Sequence, residues 1–429
     1  MPRSGITRDV RFRRALVVAF AIAVLSVTTV RIATITHDWI LIVYWTLGAS
    51  AIGGCLLAFI VGRRYTHLPV AEGRVLCIVP AYNEPPESLA RTVDALLAQT
   101  VEIDIVVIDD GSAIPVVPSC THPRVKWLRQ ENTGKRGAQV AVLRRIPRDE
   151  YEFLLTVDSD SQPFPDACEH LLRSMWDPQV QAATGMIYVR NHAESWVSRA
   201  ADIDIGGSCV MMRASRSMLG ALETTSGALA LYRSSLLYDH LDAYAVECGT
   251  GDDRWLALRA LRRGQVVAVA EARVETDMPA TLRGTYRQRL RWARSWWWML
   301  PYVFRYLNPR QFLSPLYGIT QLVVTPFLLI YAVVVGTSIW VGQADATSAT
   351  VWLYAIDYLV IRYVLAALYL LGRPEMSARH KWVSFFVGTP GAIVLNVMLL
   401  SPMRYWALAR LFDNRWQTRR APDTAAEPT

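Results

Sequence analysis

The hydrophobic positions of this 429-residue chain follow two kinds of pattern, in separate stretches. Residues 15–30 and 39–61 are almost unbroken apolar runs near bilayer-spanning length, joined by a short polar link. Three further apolar stretches, 312–341, 351–371 and 382–401, come later in the chain, the last interrupted by Gly388-Thr389-Pro390-Gly391. Between these blocks, Glu72 to Leu282 reads as an ordinary globular domain. Arg74–Pro80 forms a buried strand stopped by proline, and Ile103–Ile108 and Phe153–Val157 form two more. Ser88–Gln99 sets Leu89, Val93, Leu96 and Leu97 on one helical face, and Gly137–Arg145 reads as a second helix. Strand and helix alternating through short loops predicts a doubly wound α/β sheet, whose ligands gather at strand carboxyl ends. The expected organisation is an N-terminal transmembrane hairpin (1–64), a cytosolic α/β domain (65–282) and interfacial amphipathic helices (283–311). A C-terminal transmembrane or re-entrant block (312–412) and a cytosolic tail (413–429) complete it.

Composition supports this division. Hydrophobic residues make up 52% and mean hydropathy is +0.20, too apolar for a wholly soluble enzyme. The net charge of +8 does not signal nucleic acid, because the cations cluster beside the apolar runs, from Arg8 to Arg14 and at Arg63 and Arg64. Such flanks stay in the cytosol, so both ends of the hairpin are expected there, in a cell inner membrane. The first run is not read as a cleaved signal, since no small-residue site comes after it and a second run comes at once. Arg404, Arg410, Arg415, Arg419 and Arg420 place the tail in the cytosol as well. One C-terminal stretch is therefore expected to be re-entrant or interfacial, with Pro390-Gly391 marking the candidate. Asp357 and Arg362, inside an apolar stretch, either line a water-filled path or pair with each other. Six cysteines without paired spacing predict free thiols in a reducing compartment.

The candidate chemistry falls at the strand ends. Asp158-Ser159-Asp160 closes a strand with carboxylates at i and i+2, a donor set suited to Mg²⁺ or Mn²⁺ with substrate phosphates. Val79-Pro80-Ala81-Tyr82-Asn83-Glu84 offers a stacking face and an acceptor for ribose hydroxyls, or is a turn capping the next helix. Asp109-Asp110-Gly111-Ser112 either holds a base N–H or forms a tight turn. Asn132-Thr133-Gly134-Lys135-Arg136-Gly137 places two cations at a helix start, suited to a diphosphate, or is a solvated basic loop. Gly251-Asp252-Asp253-Arg254-Trp255 has one carboxylate more than helix capping needs, which leaves one for a catalytic base. Gln288-Arg289-Leu290-Arg291-Trp292 interleaves cations and indoles, as a sugar platform does; Trp296 to Trp298 fit a headgroup-level belt.

Taken in order, VPAYNEPPESLART, VVIDDGS, NTGKRGA, TVDSD, TSGALALYR, GDDRWL and QRLRW resemble a processive family 2 glycosyltransferase of the hyaluronan synthase kind. The set is also similar to nodulation chitooligosaccharide synthases and chitin synthases, and residues 400–419 resemble the family's C-terminal tail. The resemblance implies a GT-A type glycosyltransferase domain set between transmembrane helices, and inverting transfer from UDP-sugar donors. It implies that Tyr82, Glu84 and Asp109 or Asp110 hold uridine, and that Lys135 and Arg136 contact the diphosphate. Asp158 and Asp160 would bind Mg²⁺ or Mn²⁺, and Asp253, with Asp252 beside it, would supply the base. Gln288, Arg291 and Trp292 would form the acceptor end for a growing polysaccharide, in a protein whose partners include the lipid bilayer and no nucleic acid. Hyaluronan from UDP-GlcNAc and UDP-glucuronate is the expected product. The alternatives are a single-sugar polymer (chitin-like, cellulose-like or capsule) and non-processive glycosylation of a lipid. Ala228, Gln417 and the Ala293-Arg294-Ser295-Trp296 run depart from the hyaluronan synthase pattern and bear on sugar identity.

Overall fold

The computed structural model describes residues 8–35, 39–62, 65–249, 251–306, 333–334, 336–338, 340–342 and 346–412. The expectations for 312–332 and for the tail at 413–429 lie outside the described residues. Eight strands form one sheet: β1 (Val75–Ala81), β2 (Asp104–Asp110), β3 (Val125–Gln130), β4 (Phe153–Thr156), β5 (Gln162–Pro163), β6 (Val180–Val189), β7 (Ala230–Arg233) and β8 (Gln265–Thr276). Their order is β3-β2-β1-β4-β7-β6-β8-β5. The first four are mutually parallel, with Cys77 opposite Ile105 and Leu155, so their carboxyl ends share one edge. β7 then runs antiparallel to β4, pairing Thr156 with Ala230, and brings the start of β7 to that same edge. The sheet is therefore mixed, a parallel half of the kind the alternating pattern predicts joined to strands of both directions. β3 and the half containing β6 to β8 were not foreseen from the periodicity.

Apolar residues line both faces of the central strands, which is why these segments read as continuous runs and not as alternations. Leu76 and Ile78 enter one core, while Val75, Cys77 and Val79 enter the other, all at most 2% exposed. Helix α3 (Pro86–Leu97) covers the second face through Leu89, Val93 and Leu96, and α4 (Gly134–Leu143) covers the first through Ala138, Val140 and Val142. The chain next forms α5 (Ala167–Met175), α6 (Trp196–Ile205), a π-helical turn at Gly206–Met212 and α7 (Arg213–Met218). Short helices α8 (Ser234–Tyr238) and α9 (Leu241–Glu247) lead to α10 (Asp252–Arg263) and, after β8, to α11 (Leu282–Tyr306). All six cysteines are free thiols.

Helices α1 (Arg8–Ile35) and α2 (Trp39–Val61) form the N-terminal hairpin; α12 (Ala346–Leu371) and α13 (Ala378–Ala409) form the described part of the later block. Among the described residues, three helical stretches are long and apolar enough to cross a membrane: Asp9–Ile35, Trp352–Leu371 and Ala378–Ala409. The helix is not broken at Pro390-Gly391, where a re-entrant turn was expected. Added Cβ atoms at Gly388 and Gly391 would fall 3.1 Å from the Arg199 side chain and 3.3 Å from Ala200 Cβ. The small residues let α13 lie close on α6, and π-helical turns at Ser384–Gly388 and Leu395–Leu400 absorb the proline.

Ionic contacts join the domain to the helical block. Arg14 is buried and donates from Nε to the Leu368 carbonyl at 3.0 Å, near the end of α12. A cation there also suits the helix dipole. Arg362 turns to Asp204 of α6 at 3.6 Å, while Asp204 also meets Arg289 of α11 at 3.2 Å. Arg362 is thus spent on the domain, and the expected pair with Asp357 does not form among the described residues. Below this, Asp202 Oδ1 accepts from Tyr369 Oη at 2.5 Å and Arg373 Nη1 at 2.8 Å, with Asp202 and Arg373 at most 1% exposed. Removing one member of such a pair strands the other charge, at a cost of about 3–5 kcal/mol. Arg373→Met is therefore expected to lower the melting temperature of the detergent-solubilised protein by several degrees. An unchanged melt would show that this pair does not hold the two parts together.

Candidate active site

The shared sheet edge collects the acidic and basic motifs because every loop there leaves or enters a strand end. The Asp109 carboxylate is consumed locally: Oδ1 accepts from the Ser112 N–H (2.9 Å), and Oδ2 from the Val116 N–H (3.1 Å) and Arg129 (2.6 Å). Burial alone would push this acid up, but those hydrogen bonds and the Arg129 charge hold it below its ordinary range. Asp110 shapes the next loop, its Oδ1 accepting from Gln130 Nε2 (2.8 Å) and the Thr133 N–H (2.9 Å). Thr133 in turn precedes α4, so Asp110 fixes the start of the helix that carries Lys135 and Arg136. On the neighbouring loop Asn83 takes φ +49, and its N–H donates to Ser112 Oγ at 2.8 Å. Glu84, buried, accepts from Ser159 Oγ at 2.5 Å and so ties this loop to the Asp158–Asp160 segment. Tyr82 is half-buried on the same loop.

Lys135 occupies the centre. Its ammonium lies 2.7 Å from Asp158 Oδ1 and 3.2 Å from Asp252 Oδ2, joining the strand-end acids to the start of α10. Burial would lower this ammonium, but Asp158, Asp252 and Asp253 outweigh it and hold it above its ordinary range. The two adjacent acids on α10 then separate. Burial pushes Asp252 up, yet Lys135, then Arg136 and Arg291, pull it below the usual carboxylate range. Burial also pushes Asp253 up, the Asp252 charge adds to that, and Arg254, Arg213 and Lys135 offset it only in part. Environments that drive two neighbouring acids apart give one a persistent charge and the other a greater affinity for a proton.

Asp160 is pushed up to about 6, first by burial and then by the charge of Asp158. Thr276 and Ser161 hydroxyls each lie 3.3 Å from its Oδ1. Two crowded carboxylates of this kind relieve their repulsion by holding a divalent cation. Among the described residues no three His, Cys, Asp or Glu side chains converge on a metal site. A pair nevertheless fits Mg²⁺ or Mn²⁺, which commonly takes one or two protein carboxylates and completes its shell with water and phosphate.

Of the acceptor-side candidates, Arg291 acts electrostatically on Asp252, and Gln288 is half-buried on the same helix. Trp292 is 37% exposed, with the Arg289 guanidinium 4.5 Å from its ring centre. Trp297 and Trp298 donate their indole N–H groups to the carbonyls of Arg404 (2.6 Å) and Glu247 (3.2 Å). These two indoles therefore fasten α11 to α13 and to the end of α9. Ser295 packs against Gly251, where an added Cβ would lie 1.7 Å from its Oγ.

Several site residues escaped the sequence reading as individuals. Gly227, inside the TSGALALYR motif, lies so near the centre that a Cβ would sit 2.9 Å from both Asp158 Oδ2 and Lys135 Nζ. Thr225 bonds the backbone carbonyl of Asp253 at 3.1 Å, while Ser159 holds Glu84 and Gln130 holds Asp110. Only the occurrence of these small polar residues in or beside motifs marked them.

Residues 73–295 match the profile described as glycosyltransferase like family 2. The hyaluronan synthase of Streptococcus pyogenes is 29% identical, over 81% of this chain and 83% of that relative. An N-acetylglucosaminyltransferase of Bradyrhizobium diazoefficiens is 30% identical, over 82% of this chain and 72% of its own length. Among solved structures, a mannosyltransferase from Pyrobaculum calidifontis, in complex with GDP-Man and Mn²⁺, aligns with a TM-score of 0.50 at 18% identity. That alignment covers 87% of this chain and 99% of the other, and shares the GT-A type fold.

Gly227→Ala is expected to leave the fold intact, because the atoms it meets are ends of flexible side chains. It should weaken metal-dependent nucleotide binding by about tenfold, the loss of one charge-assisted contact. Calorimetric titration of nucleotide in the presence of Mn²⁺ checks this, and wild-type affinity would refute the assigned crowding at the centre.

Proposed function

The chain belongs to the glycosyltransferase-like family 2, and we propose that it polymerises sugars from UDP-sugar donors into a β-linked polysaccharide, with hyaluronan as the leading product. The observation that carries this reading is the bridge from Asp158 through Lys135 to Asp252, with Asp253 beside it and pushed the other way. Such an arrangement suits inverting displacement. A leaving nucleotide diphosphate gathers negative charge as its bond to the anomeric carbon breaks, and fixed cations in a dry cleft offset that charge. Lys135 and Arg136 would face the diphosphate, with Arg291 supporting it from α11. Asp158 and Asp160 would hold Mg²⁺ or Mn²⁺, which when bound neutralises diphosphate charge. Asp253, the acid with raised proton affinity, would accept the proton of the attacking hydroxyl on the opposite side of the anomeric carbon.

Tyr82, Glu84 and Asp110 are the candidates for the nucleoside. Asp109 is the weaker of the two aspartates for a base, since both its oxygens already accept hydrogen bonds. Gln288 and Trp292 would support the acceptor sugar. The apolar helices place the enzyme in a membrane, and the cationic flanks support an inner membrane with the catalytic domain cytosolic. A single-sugar polymer is the second reading, favoured by the 30% likeness to an N-acetylglucosaminyltransferase.

Membranes supplied with labelled UDP-GlcNAc and UDP-glucuronate, singly and together, with Mg²⁺ or Mn²⁺, separate the two. Polymer that requires both donors and is digested by hyaluronidase supports hyaluronan; polymer from one donor alone supports the second reading. Asp253→Asn is expected to lower polymer synthesis at least about a hundredfold, the scale of general-base contributions, with UDP affinity within about twofold. Retained synthesis would overturn that assignment.

A further inference from the structure

Beside the base lies a cation that the transfer chemistry leaves without a task. Arg213 begins α7, just after the π-helical turn at Gly206–Met212. Its Nη2 donates to the Thr225 carbonyl at 3.0 Å, and the Thr225 hydroxyl donates to the Asp253 carbonyl at 3.1 Å. Arg213 is therefore linked through Thr225 to the first turn of α10, which carries the base, near enough for its charge to act on Asp253. The other half of the guanidinium is different: Nη1 is buried and has no hydrogen-bond partner among the described residues.

The neighbouring cations are already matched. Glu223, buried at 3% exposure, faces Arg254 at 3.0 Å and Arg216 at 3.8 Å, so those two cations share an acid. Among the described residues Arg213 forms no ion pair within 4.0 Å, and a buried, unmatched guanidinium donor is costly unless something is brought to it. The helix is built to put it there. A π-helical turn inserts residues relative to α-helical winding and rotates the rest of the helix by about 100° per added residue. That turn is held by close packing, since a Cβ on Gly206 would lie 2.3 Å from the Tyr369 ring.

We propose that Arg213 recognises a carboxylate on the acceptor sugar, so that the site receives a chain ending in a uronic acid. The inference rests on the transferase reading and deepens it. A base must touch the acceptor hydroxyl, so a donor fixed beside the base meets the acceptor before it meets the nucleotide. A planar guanidinium is matched to a carboxylate and discriminates against a neutral hydroxymethyl group in its place.

The test is direct binding to the purified full-length protein in UDP and Mg²⁺, comparing oligosaccharides of equal length ending in glucuronate or in N-acetylglucosamine at the accepting end. Wild type is expected to prefer the uronate end by about tenfold or more, the scale of a charged hydrogen bond. Arg213→Gln should abolish the preference and Arg213→Lys should restore part of it. UDP affinity, measured in parallel, should stay within about twofold in both variants. No preference in wild type, binding of neither oligosaccharide, or a preference intact in Arg213→Gln would overturn the proposal. So would a loss of UDP affinity equal to the loss of sugar binding, which marks a structural role. If uronate preference appears instead in UDP-glucuronate binding, the carboxylate belongs to the donor and the acceptor assignment falls. Failure of wild type to bind UDP at all is a separate result, which removes the transferase reading itself.

Discussion

The arrangement of this molecule depends on holding three acids within reach of one ammonium. Asp158, Asp252 and Asp253 all act on Lys135, and Asp160 crowds behind Asp158. Carboxylates repel in a low-dielectric cleft, so the cluster persists only where cations and backbone donors are fixed in place beforehand. Asp110 performs this service for Lys135 by pinning Thr133, and Ser295 packed on Gly251 performs it for the α10 acids. The consequence is a site in which acids and cations interleave, with Lys135, Arg136 and Arg291 acting on Asp252, and Arg254 and Arg213 on Asp253.

The same economy of charge appears where the domain meets the helical block. Asp202 and Asp204, two residues apart on α6, each face a different cation: Arg373 below, Arg289 and Arg362 beside. Apolar packing is continuous there too, because Met299, Val303, Ala366, Tyr369 and Ala392 belong to the same core as Leu76 and Ile78. Domain and apolar helices thus share one interior.

The parallel half of the sheet was legible because its strands are short apolar runs buried on both faces and its helices keep a clear period. The mixed half was not, since β6 and β8 mix small, polar and charged residues whose burial depends on partners distant in sequence. Arg273 within β8, 2% exposed, is the extreme case. The motif acids could be found by their positions after strands. Their separate environments could not: different charges surround Asp252 and Asp253, and Asp109 meets Arg129 and two backbone donors where Asp110 meets Gln130 and one. The Gly388–Gly391 interruption looked like a helix break because a sequence cannot tell a kink from a place where another helix must come close. For Trp297 and Trp298 the carbonyl partners could not be foreseen, since an indole suits a headgroup layer and a carbonyl equally well.

Arg14 carries an implication for how the protein is made. Its carbonyl partner at Leu368 lies 354 residues downstream, so it does not exist while the first helices are entering the bilayer. Synthesis at roughly 5–20 residues per second separates the two events by tens of seconds. During that interval Arg14 lacks this acceptor, while its place over the Phe59 ring of α2, 5.2 Å from the centroid, is a contact within the hairpin itself. Truncation before α12 would therefore leave an anchored yet unfinished scaffold, a natural substrate for membrane quality control.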